Sequence, residues 1–318
     1  MNELEKLIGN TPLIKINYKY NGKENYIYTK VEYYNLTGSI KDRVVYYIIS
    51  NSIKNGELNR NMPIVEATSG NTGISLSAIG AYLGHPIYIF MPDFVSRERL
   101  DIMKLYGANV FLISKEEGGF KKCVELAKKF SIDNNAFLLN QFSNPLNTLA
   151  HFETTGTEIS SKIHVDAFVS GIGTGGTLMG IGKKLKENNN TDIYALEPES
   201  MSLIKTGKIS SHKIEGIGDD FVPNLVDLNL IKDIILIDDN DAINMSKKLA
   251  RELGIGVGIS SGANMIASIL LKEKGYKNVV TIFPDDLKKY LTTDLTKKIS
   301  LKDDSISSKV ELINYEII

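Results

Sequence analysis

The chain has 318 residues, 42% hydrophobic and 24% charged, with 37 basic and 38 acidic side chains and a formal net charge of −1. That is ordinary for a globular protein long enough for two domains, and no basic block or aromatic-basic patch argues for nucleic acid. The apolar runs are strand-length, the N-terminal Met1–Lys6 stretch is polar, and the single Cys123 cannot form an internal disulfide. The expectation is therefore a cytoplasmic protein with no membrane partner.

A turn at Ile8–Leu13 opens the chain, and strand-like runs follow near Leu13–Tyr18 and Tyr26–Tyr33. Next comes a helix from the stretch Asn35-Leu-Thr-Gly-Ser-Ile-Lys-Asp-Arg43 to Gly56. Ser39 reads as its N-cap and Asp42 as the acid of a capping box. Strands and helices then alternate: strand Ile64–Ala67, helix Thr72–Gly84, strand Pro86–Met91, helix Ser96–Gly107 with Ser96 as cap, and strand Ala108–Ser114. Helix Gly119–Phe130, strand Ala136–Phe142 and a long helix Leu146–Ile163 complete the first series. Cys123 reads as a buried residue of its helix rather than a nucleophile. The second series is strand Val165–Ser170, helix Gly176–Glu187, strand Asp192–Leu196, an irregular segment to about Asn229, strand Asp233–Ile237, helices Asp241–Leu253 and Gly262–Gly275, and strand Asn278–Phe283. Short apolar strands with helical crossovers predict two α/β layers, each a parallel-type sheet with helices on both faces, and a cleft between them. The strand-like tail Val310–Ile318 has the pattern of an arm that packs on a partner subunit.

Four places carry chemistry. Lys41 falls in the first turn of its helix, where positive potential disfavours an ammonium. It is either a snorkelling surface lysine or an amine kept neutral and able to form a Schiff base. Thr68-Ser-Gly-Asn-Thr-Gly73 follows a strand and offers N–H and hydroxyl donors to a carboxylate, or is simply a glycine-rich turn with Asn71 as cap. Gly171-Ile-Gly-Thr-Gly-Gly-Thr177 is a phosphate cradle. It also matches G-x-G-x-x-G, with Glu197 at the next strand, so taken alone it suits a dinucleotide equally. In Gly258-Ile-Ser-Ser-Gly-Ala263, Ser260 or Ser261 either caps a helix or offers a hydroxyl to a ring nitrogen. One ligand accounts for all four, pyridoxal 5'-phosphate (PLP). A dinucleotide leaves Lys41, the Thr68 loop and the Ser260 loop unexplained. No metal is expected.

Across most of its length the sequence resembles the cysteine synthase and cystathionine β-synthase family of fold-type II, tryptophan synthase β-like PLP enzymes. The matching motifs are Gly9-Asn-Thr-Pro-Leu13, Gly38-Ser-Ile-Lys-Asp-Arg43, Thr68–Gly73, Gln141-Phe-Ser-Asn-Pro145, His151-Phe-Glu-Thr-Thr155, Gly173–Thr177, Gly216-Ile-Gly218 and Gly258–Gly262. The resemblance implies a smaller mobile domain of residues 35–145 with 1–12, and a larger one of 146–318 with the strands of 13–34. It implies PLP in the cleft between them and a homodimer. By the same resemblance Lys41 would bind PLP and move protons, Asn71 would meet the ring hydroxyl, and Gly173, Thr174, Gly175, Gly176 and Thr177 would hold the phosphate. Ser260 would meet the ring nitrogen. Thr68, Ser69, Thr72 and Gln141 would clamp the substrate carboxylate, with Gly218 also lining the substrate.

The activity implied is β-replacement or β-elimination on a small β-substituted amino acid through an aminoacrylate. Where plain cysteine synthases carry Ala-Gly, this chain has Asp219-Asp220. Asp220 and Phe283-Pro-Asp-Asp-Leu-Lys-Lys-Tyr290 lean towards the β-synthases, while Asp219 fits neither pattern. A carboxylate there would act as a base for an incoming nucleophile or repel hydrosulfide. The pair is expected to bias the enzyme towards releasing hydrogen sulfide from cysteine, replaced by water or a thiol; the bland reading is two solvated loop acids. An O-acetylserine-dependent cysteine synthase, a cystathionine β-synthase proper, a serine/threonine dehydratase and an inactive regulatory binding protein are the competing readings. His85, His164 and His212 read as turn or surface residues, and His151 as structural.

Overall fold

The computed structural model describes residues 2–188 and 190–318; Met1, which the sequence reading placed in the smaller domain, lies outside them. The strands are β1 (Leu13–Tyr20), β2 (Lys23–Val31), β3 (Ile64–Ala67), β4 (Ile87–Pro92), β5 (Asn109–Ile113), β6 (Phe137–Leu138), β7 (Ala167–Gly171), β8 (Asp192–Pro198), β9 (Asp233–Ile237), β10 (Val279–Phe283) and β11 (Val310–Ile317). The helices are α1 (Asn2–Glu5), α2 (Lys41–Lys54), α3 (Asn71–Leu83), α4 (Arg97–Leu105), α5 (Gly119–Asp133), α6 (Pro145–Ala150), α7 (Thr157–Ser160), α8 (Gly176–Asn188), α9 (Leu203–Thr206), α10 (Asp239–Leu253), α11 (Ile259–Glu273) and α12 (Ile306–Lys309). No helix of the described residues is long and apolar enough to cross a membrane.

Two sheets form. One has the order β5-β4-β3-β6 and is wholly parallel; the other has the order β11-β1-β2-β10-β7-β8-β9. In the larger sheet β2, β10, β7, β8 and β9 are parallel, and the hairpin partner β1 and then β11 add an antiparallel edge. The tail is therefore no free arm: β11 pairs with β1 of its own chain.

Alternate strand residues go to opposite faces, which is why these strands are apolar throughout. Val169 and Leu196 join α10 and α11 in one core, whereas Phe168, Ile193 and Ala195 join α8 in another. The smaller sheet divides likewise, Ile64 and Ile89 packing with α2 and α3, and Val65 and Phe90 with Cys123 and Ala127 of α5. Leu4 and Ile8 belong to that first small core. Cys123 is buried, donates to Gly119 O at 3.4 Å, and burial pushes its thiol up to about 12.

Several boundaries depart from expectation. The predicted strand Ala136–Phe142 is cut to two residues because Asn140 takes a left-handed φ of +57°, which turns Gln141 off the sheet. The predicted helix Leu146–Ile163 is broken by a π-helical stretch at His151–Gly156. Helix α11 begins at Ile259, so Ser260 and Ser261 lie inside it and neither hydroxyl caps it. Ser96 holds the cap position of α4, but its hydroxyl donates to Lys289 O at 2.7 Å instead. His85 lies in the turn between α3 and β4, as expected, and is buried there with Nδ1 2.9 Å from Met62 O.

Candidate active site

Lys41 is the first residue of α2, and the turn before it is fastened to the segment after β10. Ile40 N–H donates to Pro284 O at 2.8 Å, Lys289 Nζ donates to Gly38 O at 2.7 Å, and Ser39 bridges Asp285. The capping box is not made. Ser39 Oγ accepts from Lys41 N–H at 3.3 Å, but the Asp42 carboxylate turns back to Thr37, accepting from its N–H at 2.7 Å and its hydroxyl at 2.6 Å. The turn thus closes on itself and frees the first helical turn to face the cleft. Arg43 anchors the same turn through Glu32 and Glu158, each at 2.6 Å. Burial lowers the Lys41 amine below its ordinary value, against the pull of Asp285 and Asp219, and Lys289 adds to the lowering.

The Gly171–Thr177 loop leaves β7 and enters α8, as expected. Gly175 has φ +84°, a region that favours glycine. An added Cβ at Gly176 would collide with the Asn147 side chain, and one at Gly173 would lie 2.5 Å from Gly216 O. Thr174 Oγ1 accepts from Asn147 Nδ2 at 3.0 Å, and Thr177 Oγ1 lies 3.2 Å from His151 Nε2. Burial, helped by Lys41 and Arg43, holds His151 down at about 3, so a neutral imidazole backs the cradle. Ser260 is buried and lines the same inner cleft.

The Thr68–Gly73 loop joins β3 to α3 on the facing side. Two of its expected clamp residues brace each other. Thr72 Oγ1 donates to Gln141 Oε1 at 2.6 Å, and Gln141 Nε2 donates to Ala67 O at 2.8 Å. Beneath them the Glu66 carboxylate accepts from Ala67 N–H at 2.7 Å and Gln141 N–H at 3.1 Å. Burial pushes Glu66 up to about 7, against those N–H groups and that of Asn140. Thr68 and Ser69 line the cleft. Asn71 is not a cap: its Nδ2 donates to Asp285 Oδ2 at 2.7 Å, and its Oδ1 is buried without a partner.

The two aspartates part company. Asp219 enters the inner cleft beside Lys41, where burial and the neighbouring Asp220 push it up to about 6 while Lys41 opposes the rise. Asp220 lines the outer groove and pairs with Lys121 at 3.1 Å, so of the two acids expected to bear on the reaction Asp219 is the one beside Lys41. Gly218 also lies in the outer groove, its carbonyl 3.0 Å from His212 Nε2.

Four further residues complete the site. Asp285 is 1% exposed and accepts from Tyr290 OH at 2.7 Å, with Oδ1 lacking a partner. Arg99 of α4 is buried, lies 4.7 Å from the Tyr290 ring centroid and pairs with Glu215 at the neck of the cleft. Asp285 and Tyr290 sit in the Phe283–Tyr290 motif, which was their only sequence signal; Arg99 and Glu215 had none.

These residues fit PLP. A cradle whose glycines admit no Cβ opens a helix N-terminus, and a depressed amine and two buried oxygens without a partner among the described residues, Asn71 Oδ1 and Asp285 Oδ1, belong to residues lining the same cleft. The family description "Pyridoxal-phosphate dependent enzyme" matches residues 4–285. A cysteine synthase of Staphylococcus aureus is 38% identical over 301 residues, 93% of this chain and 97% of that one. The structure of a hydrogen sulfide-producing enzyme from Fusobacterium nucleatum superposes with TM-score 0.95 at 46% identity, covering 100% of this chain and 98% of that one. A variant of such an enzyme with asparagine for one aspartate, solved with an α-aminoacrylate intermediate and dimethylated lysines, gives TM-score 0.96 at 46% identity, covering 100% and 99%. The chain belongs to the pyridoxal-phosphate dependent enzymes, and its relatives are of the cysteine synthase type.

Proposed function

We propose that the protein catalyses β-replacement on L-cysteine, releasing hydrogen sulfide and installing the oxygen of water or the sulfur of a thiol at Cβ. The observation that carries this reading is Asp219, a carboxylate held at about 6 in the same cleft as Lys41. Likeness to a hydrogen sulfide-producing enzyme supports it.

When bound, PLP supplies an electron sink that acidifies the substrate Cα–H and lets the β-substituent leave. Lys41 would hold its aldehyde, the Gly173–Thr177 cradle its phosphate, Ser260 its ring nitrogen and Asn71 its ring hydroxyl. Lys41, with its amine depressed, takes and returns the Cα proton. Thr68 and Ser69 meet the substrate carboxylate, and Thr72 and Gln141 stiffen that loop. Asp219, mostly ionised at neutral pH, takes the proton of the incoming water, whereas a thiol, far more acidic than water, depends on that base less. The C–S bond breaks, a C–O or C–S bond forms, and sulfide leaves. A negative Asp219 also disfavours hydrosulfide as the attacking anion, which counts against net cysteine synthesis from O-acetylserine. Closure of residues 35–145 with 1–12 over the cleft would exclude water not destined for reaction. We extend the reading to a homodimer, supported by the exposed Ile313, Tyr315 and Ile317 along edge strand β11, and to a cytoplasmic setting, supported by one buried cysteine.

Mass-spectrometric product analysis tests the reaction. Holoenzyme given cysteine, with and without homocysteine, is expected to yield sulfide with serine or the thioether. Pyruvate and ammonia as main products would move the assignment to a dehydratase-type elimination. Net cysteine formation from O-acetylserine and sulfide, outpacing sulfide release, would move it to a cysteine synthase. Sedimentation equilibrium checks the dimer.

A further inference from the structure

Asp219 belongs to a strap, residues 215–224, that follows β8 of the large sheet and is fastened to both sheets' sides of the cleft. Its large-sheet anchors are Ile217, buried in the core with Val169 and Leu196, and Gly218 N–H, donating to Ile172 O at 3.0 Å. On the other side Glu215 pairs with Arg99, Asp220 with Lys121 at 3.1 Å, and Asn224 Nδ2 donates to Ser143 Oγ at 3.0 Å. Between them Phe221 inserts its ring. It stacks on Phe120, centroids 6.3 Å apart and planes 5° apart, and meets Phe142 edge-on at 5.0 Å and 68°. Phe120 and Phe142 themselves meet at 5.6 Å.

The Lys121–Asp220 pair is exposed and holds little. The three-ring contact is apolar, survives salt and is geometrically specific. Phe142 also follows Gln141 directly and lines the inner cleft. A shift of the carboxylate loop therefore reaches Phe221 through one side chain, and Asp219 stands two residues from Phe221.

We propose that Phe221 is a positioning residue: its ring, packed on Phe120 and Phe142, holds Asp219 at the cleft and makes delivery of the incoming nucleophile depend on closure of the small sheet over the substrate. This rests on the reading of Asp219 as the base for that nucleophile. Removing the ring takes away the apolar anchor of the strap on the small-sheet side and leaves only polar ties there, and displacement of a base by about 1 Å costs up to roughly a hundredfold.

Phe221→Ala, Phe221→Leu and Asp219→Asn holoenzymes would be compared on cysteine in single-turnover sulfide release and in the steady-state ratio of serine to thioether with homocysteine present. Phe221→Ala is expected to keep the first-turnover release of sulfide, lower serine formation roughly tenfold or more, and move its acid limb towards the ordinary carboxylate range as Asp219 is wetted. Phe221→Leu, which keeps an apolar anchor, should restore most of the ratio. If Phe221→Ala leaves ratio and pH profile unchanged while Asp219→Asn alters them, the positioning role is overturned and the base assignment stands. If Phe221→Ala abolishes sulfide release as well, the ring serves the whole site, and the proposal is equally overturned. If Asp219→Asn changes nothing, the base assignment fails and this inference falls with it.

Discussion

The cradle at 171–177 and the strap at 215–224 are both loops at the carboxyl ends of neighbouring strands, and they touch where Gly173 faces the Gly216 carbonyl. They are built on opposite principles. The cradle is over-determined, with backbone so close to Asn147 and Gly216 that no side chain fits. The strap is held by Ile217 in the large core and by a few side chains reaching across the cleft, and one of its acids looks inward while the next looks out. A cofactor needs one fixed geometry, whereas the choice of nucleophile needs a part that can differ between relatives without disturbing it.

The largest effect should come from the cofactor side. Lys41→Ala is expected to cost at least about a thousandfold in kcat for sulfide release, because in the proposed mechanism the amine serves both as anchor and as proton carrier. Residual activity within tenfold of the parent would place the proton transfer on another group. Asp219→Asn, on the strap side, should lower serine formation by roughly 10²–10³-fold while sparing the first release of sulfide. A parallel fall in both steps would show that the comparison has divided the labour wrongly. Gly176→Ala tests the rigid side differently. Overpacking against Asn147 should cost about 1–3 kcal/mol and show as weaker PLP retention on dialysis, with the serine-to-thioether ratio unmoved.

The sequence made the rigid side legible and only half of the adaptable one. Strands Ile64–Ala67 and Asp233–Ile237 are apolar runs between turn residues, and their bounds are found as expected. The glycine loops declare themselves because close backbone approach demands glycine. Asp42 has the local spacing of a capping acid, but the folded turn gives its carboxylate Thr37 instead, a contact no local pattern announces. Arg99 and Glu215 stand 116 residues apart and meet only across the cleft, so no local pattern could pair them. Asp219 and Asp220 were named together, since nothing in the order of two adjacent acids tells which one turns inward.

Facing both loops across the cleft is the carboxylate loop, tied from below by Glu66. Its carboxyl is raised by burial from an ordinary 4.5 to about 7, so the native state binds a proton that the unfolded chain has lost. The associated stability is present below about pH 4.5 and is lost as pH rises through 7; about 2 kcal/mol should go between pH 5.5 and 8. Asp219, raised to about 6, contributes in the same direction. Urea midpoints at the two pH values check this, and Glu66→Gln should flatten the dependence. An unchanged dependence in that variant would assign the loss to other groups.

The smallest effect is expected at Asp220, and it separates the two acids most sharply. Its pair with Lys121 is exposed, so breaking it should cost stability of at most about 1 kcal/mol. Its charge nonetheless raises Asp219, against the pull of Lys41. Asp220→Asn removes that repulsion, ionised Asp219 becomes easier to keep, and its pKa falls. The acid limb of serine formation should therefore move to lower pH, while the rate near neutrality, where Asp219 is already mostly ionised, changes by less than about threefold. A pH profile of product formation reads both quantities together. A shift to higher pH, or a loss at neutrality approaching that of Asp219→Asn, would mean that Asp220 turns into the cleft during turnover and that the inner and outer acids exchange places as the strap moves.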